Sequence, residues 1–307
     1  MAPASDAARL MRLATYASVA TACTLIVAKL TAWALTGSVA LLSTLIDSTL
    51  DGAASLVNLW AIRHALTPAD QEHRFGHGKA EPLAGLGQAA FILGSGVLLM
   101  VEAVKRLFQP EEVTQGLVGI AVMVFSIVMT MALVWFQRQV IRRTRSVAIS
   151  ADSLHYSGDV LINGSVIVSL GMGMTLGWTF LDPLFAIAIS LFLLWNAWNI
   201  AQGSMDMLMD REMADADRER IIAIVRSNPE VIDLHDLRTR LSGQAGFVQL
   251  HLELDPQLPL IRAHAIADQV EQAIAQAFPH CEVIIHEDPA GVREAKPGAD
   301  FERTGSG

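Results

Sequence analysis

Apolar residues fill the first two thirds of the chain in stretches too long for a soluble core, and then the pattern breaks. Six such stretches lie near residues 10–35, 38–64, 81–108, 116–140, 147–174 and 178–203. Each exceeds the roughly 20 apolar residues that a helix needs to cross a bilayer. Thr36-Gly37-Ser38 reads as a tight turn that makes the first two helices an antiparallel hairpin, and residues 177–183 link the last two in the same way. After Met209 the periodicity shortens. Residues 215–227 read as an amphipathic helix with Ile221, Ile222 and Val225 on one face. Residues 231–241 and 247–254 read as strands, 260–278 as a helix and 281–286 as a third strand. The pattern therefore predicts a polytopic α-helical membrane protein with six transmembrane helices (1–208). It adds a C-terminal α+β domain of order α-β-β-α-β (209–290) and a disordered tail rich in glycine and charge (291–307).

Composition agrees: 52% of residues are hydrophobic and only 17% charged. The first apolar stretch lacks the short core and cleavage site of a secretory signal, so a retained helix is expected. Two distant cysteines, Cys23 and Cys281, suggest neither a disulfide framework nor a thiolate zinc site. Of a net charge of −9, most falls after residue 208, where 18 acids face 10 bases; that acidity argues against nucleic acid as a partner. Basic residues mark one side of the membrane. Arg9 and Arg12, then Arg63, Arg74 and Lys79, then Arg138, Arg142, Arg143 and Arg145 fall on it, against Lys105 and Arg106 diluted by Glu111 and Glu112. Both termini should be cytoplasmic, and in a bacterium the membrane would be the inner one.

Ionisable residues inside the apolar runs change the picture most. Asp47 and Asp51 lie one helical turn apart in the second run, and His155 and Asp159 repeat that spacing in the fifth. A charge at membrane depth costs about 2.5–3.5 kcal/mol on insertion scales, and such residues default to function. Residues i and i+4 share a helix face. Two such faces brought together offer three oxygens and one nitrogen, a tetrahedral donor set for Zn²⁺. All-oxygen cages for Mg²⁺ or Ca²⁺ do not usually recruit histidine. The same donors also admit Cd²⁺, Fe²⁺, Mn²⁺ or Co²⁺.

Two further constellations follow. Between the second and third runs, Asp70, His73 and His77 are spaced three and four apart and would share a face if that segment were helical; Glu72 and Glu81 read as surface charges. In the C-terminal domain His235, His251, His264 and His286, with Asp288, fall on or near predicted elements, and His286 and Asp288 alternate onto one strand face. Lys29 reads as snorkelling or pairing with an acid, His64 as interfacial and His280 as surface. No H-E-x-x-H and no Ser–His or Cys–His arrangement occurs, so an enzyme is not expected.

The D-x-x-x-D and H-x-x-x-D pairs, the loop Glu72-His73-Arg74-Phe75-Gly76-His77-Gly78-Lys79-Ala80-Glu81 and the histidine-bearing C-terminal domain resemble the cation diffusion facilitator family, closest to its bacterial zinc and ferrous-iron efflux branch. The resemblance implies a transport site at Asp47, Asp51, His155 and Asp159, a membrane-boundary site at Asp70, His73 and His77, and a binuclear cytoplasmic site at His235, His251, His264, His286 and Asp288, with His251 able to bridge. It also implies a metallochaperone-like cytoplasmic fold, a homodimer formed through that domain, and a charge pair between Lys79 and Asp210. The expected function is proton-coupled export of a divalent cation, zinc foremost, by alternating access, with regulatory metal in the cytoplasmic domain. Fe²⁺, Cd²⁺ or Mn²⁺ is the alternative cargo, and a membrane-anchored metal receptor without transport the alternative class.

Overall fold

A computed structural model describes residues 4–108, 117–176 and 181–292. The linker at 177–180, the acids Glu111 and Glu112, and the tail from residue 293 lie outside the described residues. The chain divides into two compact units, one of Met1–Arg211 with Ser242–Gln244, the other of Glu212–Leu241 with Ala245–Gly307.

The first unit holds six long helices: α1 (Ala4–Thr36), α2 (Val39–Ala65), α3 (Ala80–Phe108), α4 (Leu117–Thr144), α5 (Val147–Leu176) and α6 (Leu181–Leu208). At about 1.5 Å per residue each is 40 Å or longer, enough to cross a hydrocarbon core of roughly 30 Å. By length and composition α1, α3, α4 and α6 qualify as membrane spans. The other two, α2 and α5, are the helices that carry Asp47, Asp51, His155 and Asp159. Gly37, at φ +63°, makes the turn between α1 and α2, a left-handed conformation that glycine adopts without a Cβ clash.

Packing in this unit is inverted relative to a soluble protein. Large apolar side chains point outward, with Trp60 68% and Trp195 69% exposed. Ser18, Ser55, Asn58, Gln137 and Asp152 are buried. A lipid-facing exterior and a hydrogen-bonded interior explain that arrangement. Two apolar clusters hold the bundle: Met11, Ala14, Ile62, Val140, Ala148 and Ile149 join α1, α2, α4 and α5, while Ile92, Leu154, Ile189, Leu193 and Ala197 join α3, α5 and α6. Small residues allow close approach, since a Cβ on Gly158 would lie 3.0 Å from the Leu193 side chain.

The second unit contains α7 (Asp215–Arg226), β1 (Asp233–Ser242), β2 (Ala245–Leu254), α8 (Leu260–Ala277) and β3 (Cys281–Pro289), the predicted α-β-β-α-β order. The sheet runs β1-β2-β3. The parallel β2–β3 pair requires a crossover, which α8 supplies. Ile221, Val225, Val248, Leu250, Leu252, Ile266, Val270 and Ile274 form its core. The register places His251 opposite His286 and Glu253 opposite Asp288, which gathers polar donors on the face away from Leu250 and Leu252.

Candidate metal sites

Within the helical unit, ligand atoms of Asp51, His155 and Asp159 lie within 4.8 Å of one another. His155 Nε2 is 2.9 Å from Asp51 Oδ1. The i, i+4 spacing on α5 puts His155 and Asp159 on one face, and α2 crosses that face over a short stretch. Asp47 is not part of the cluster and is exposed. Four residues advance a helix by about 6 Å, so a brief crossing brings only one acid of the α2 pair to the meeting point. Two oxygens and one nitrogen therefore converge. Such a three-ligand arrangement leaves room for water or for exchange of the ion. The Phe91 ring lies edge-on to His155 at 5.8 Å.

Lys29 forms no ion pair with an acid within 4.0 Å among the described residues. Its ammonium donates to the Thr44 carbonyl at 3.1 Å and to Ser48 Oγ at 2.6 Å, tying α1 to α2, and its charge acts on Asp51, Asp159 and Asp47.

A polar node beside this cluster carries no sequence motif. Asp152 Oδ2 accepts hydrogen bonds from Ser18 Oγ at 2.6 Å and Gln137 Nε2 at 2.7 Å, and Gln137 also donates to Ser18 at 3.0 Å. Tyr156 and Ser55 share a hydrogen bond of 2.8 Å alongside. The node joins α1, α4 and α5, and a second acid in the run that holds His155 and Asp159 was the signal that could have found it. Glu81, expected at the surface, is 1% exposed and accepts the Val147 N–H at 3.0 Å. It meets the unpaired donors at the start of α5 as an N-terminal carboxylate does.

Asp70, His73 and His77 also converge, but not on a helix, because residues 66–79 form turns. Asp70 Oδ1 accepts the backbone N–H groups of Glu72 at 2.9 Å and His73 at 2.6 Å, and Gly76 at φ +77° reverses the chain. That folds His73 Nδ1 to 3.4 Å and His77 Nε2 to 3.3 Å from the Asp70 carboxylate. The His73 N–H is the main influence holding the Asp70 carboxyl below its usual pKa. Desolvation opposes it as the next-largest influence, and the Glu72 N–H and the two imidazoles add smaller effects in the lowering direction. Asp70 is thus a ready anion at neutral pH. The Lys79 ammonium lies 3.0 Å from Asp210 Oδ1 and donates to the Leu208 carbonyl at 3.3 Å, where a cation complements the end of α6.

In the second unit His235, His251 and Asp288 form a third cluster. Asp288 is its hub. Oδ2 lies 2.7 Å from His251 Nδ1 and 3.3 Å from His235 Nε2, while Oδ1 lies 3.0 Å from His286 Nε2. The Asp288 carboxylate contacts all three of these histidines, and His251 lies beside both His235 and His286. His264 sits apart, with Nδ1 3.8 Å from Glu287 and Nε2 3.7 Å from Asp268. Burial pushes the Cys281 thiol pKa up, with the Asp217 charge adding to it, so the thiol stays protonated and the donors are nitrogen and oxygen.

Comparison with known proteins agrees with this division. Residues 15–209 match the model of the cation efflux transmembrane domain, and residues 213–290 that of the cation efflux protein cytoplasmic domain. The cation-efflux pump FieF of Klebsiella pneumoniae subsp. pneumoniae is 47% identical over 96% of this chain and 98% of its own length. FieF of Salmonella choleraesuis is 47% identical over 96% and 97%. Among solved structures, the zinc form of CzrB is similar at 35% identity, covering 28% of this chain and 98% of that one, with a TM-score of 0.25. The chain belongs to the cation diffusion facilitator family, whose members are membrane-spanning cation-efflux transporters.

Proposed function

We propose that the protein exports divalent metal ions, zinc foremost, from the cytoplasm in exchange for protons. The convergence of Asp51, His155 and Asp159 within membrane-spanning helices carries this reading, because a receptor needs no ligands at that depth. Carboxylates and imidazole must give up protons to bind metal and regain them when it leaves. A site open alternately to either side then couples the two flows. His155, an imidazole 2.9 Å from Asp51 at the centre of the cluster, is the natural proton carrier. Asp47 acts one turn away as an electrostatic aid and an intermittent ligand.

Basic residues flanking the helices favour both termini in the cytoplasm, and a bacterial host would make this the inner membrane. The cytoplasmic cluster around Asp288 binds metal from the cell interior and fastens a homodimer through residues 213–290, which match a cytoplasmic domain of cation efflux proteins. Boundary site, cytoplasmic cluster and transport site share a preference for nitrogen and oxygen donors, which suits Zn²⁺ and also admits Fe²⁺, Cd²⁺ and Mn²⁺. The test is uptake into proteoliposomes under an imposed pH difference. Asp51→Ala and Asp159→Ala should each abolish metal-dependent proton movement, and full flux in both variants would overturn the assignment.

A further inference from the structure

His64 stands at the end of α2, beside the boundary cluster. Its ring stacks on Trp60 one turn earlier, with centroids 5.5 Å apart and planes 3° from parallel. It meets His77 at 4.6 Å and 65°. His73 and His77, whose ligand atoms converge with Asp70, are also 4.6 Å apart. Two imidazoles on one tetrahedral ion, bound at about 2.0–2.1 Å, place their centroids about 5 Å apart. The His64–His77 spacing thus fits two imidazoles on one ion, although the ligand atoms that already converge within 4.8 Å are those of Asp70, His73 and His77. The His77 side chain is only 7% exposed, yet its Nδ1 has no hydrogen-bond partner. A buried polar nitrogen left without a partner calls for an explanation. Asp70, His73 and His77 make only three ligands, and a closed tetrahedral site needs four.

We propose that His64 is the fourth metal ligand of the boundary site, and that a divalent cation bound there clamps the inner end of α2 to the 66–79 loop. A turn about the His64 side-chain torsions brings a ring nitrogen toward the cluster while its backbone stays in the last turn of α2. With four protein ligands the site is closed and exchanges metal slowly, unlike the open set of Asp51, His155 and Asp159. Because α2 also carries Asp51, occupancy at the boundary restrains the helix that forms the transport site. This inference rests on reading Asp70, His73 and His77 as a metal site.

The test uses the full chain with Asp51, Asp159, His235, His251 and Asp288 replaced by alanine, leaving the boundary residues intact. Zn²⁺ affinity is read by chelator competition, and geometry by Co²⁺ absorption. His64→Ala should weaken Zn²⁺ binding by about 10–100-fold, at least what loss of an outer-shell partner costs, and reduce the intense visible bands of tetrahedral cobalt. His64→Cys should restore four-coordination and add a near-ultraviolet sulfur-to-cobalt charge-transfer band, which arises only if position 64 touches the metal. Unchanged affinity in His64→Ala and no such band in His64→Cys, with binding lost in His73→Ala, would overturn the inference while leaving a three-ligand site. Unchanged affinity in His73→Ala and Asp70→Ala as well would remove the boundary site itself and this inference with it.

Discussion

Each acid in the helical unit has a distinct surrounding, and that decides what its loss should do. Asp51 and Asp159 share the His155 cluster, whereas Asp47 stands one turn away. Zinc flux in vesicles should therefore fall to background in Asp51→Asn and Asp159→Asn but only several-fold in Asp47→Asn. Equal losses in all three would place Asp47 in the ligand set after all. In the second unit Asp288 contacts three histidines, whereas His264 lies near Asp268 and Glu287. Equilibrium dialysis of the full chain should show Asp288→Ala losing cytoplasmic zinc and His264→Ala retaining most of it. Asp51, His155 and Asp159 were legible in the sequence because two acids and a histidine inside apolar runs are costly without a partner. The separation of Asp47 from them was not, because spacing along one helix says which side chains share a face but not how far a second helix follows it.

Between elements, the junctions are polar nodes and small residues. Asp152→Ala removes the carboxylate that accepts from both Ser18 and Gln137 inside the bundle, leaving Ser18 to the Ala14 carbonyl and Gln137 to Ser18. Two buried hydrogen bonds to a carboxyl oxygen are lost at about 1 kcal/mol or more each, so thermal unfolding in detergent should shift downward by several degrees, and an unchanged melting curve would contradict the role of this node. Gly158 abuts Leu193 and directly precedes Asp159. A larger residue must push α5 from α6 at about 1–3 kcal/mol, so Gly158→Val should lower transport more than it lowers stability, read as flux against melting temperature. The six helices and the α-β-β-α-β order were legible from periodicity alone. The Asp152 node, the buried Glu81 and the turn-built convergence of Asp70, His73 and His77 were not, since each depends on partners distant in sequence or on backbone turns in the loop. The histidine spacing of three and four anticipated the gathering of that loop for the wrong reason: turns, rather than a helix, bring the side chains together.

For the molecule as a whole, three clusters of the same nitrogen and oxygen donor chemistry stand among the described residues. In the proposed function, the boundary and cytoplasmic clusters take metal from the cytoplasm and the helical cluster carries it across. The sequence conveyed this plan through the distribution of acids and histidines over long apolar runs and a short acidic domain. It named Asp288 for the cytoplasmic site but not its contacts with His235, His251 and His286 together. The central claim is that metal and protons exchange at Asp51, His155 and Asp159. Its most direct test is simultaneous recording of zinc and pH inside proteoliposomes of the purified protein. Zinc entry should be matched by proton movement the other way, and both should vanish together in Asp159→Ala. Zinc flux with no opposing proton movement, or full exchange in Asp159→Ala and Asp51→Ala alike, would contradict it.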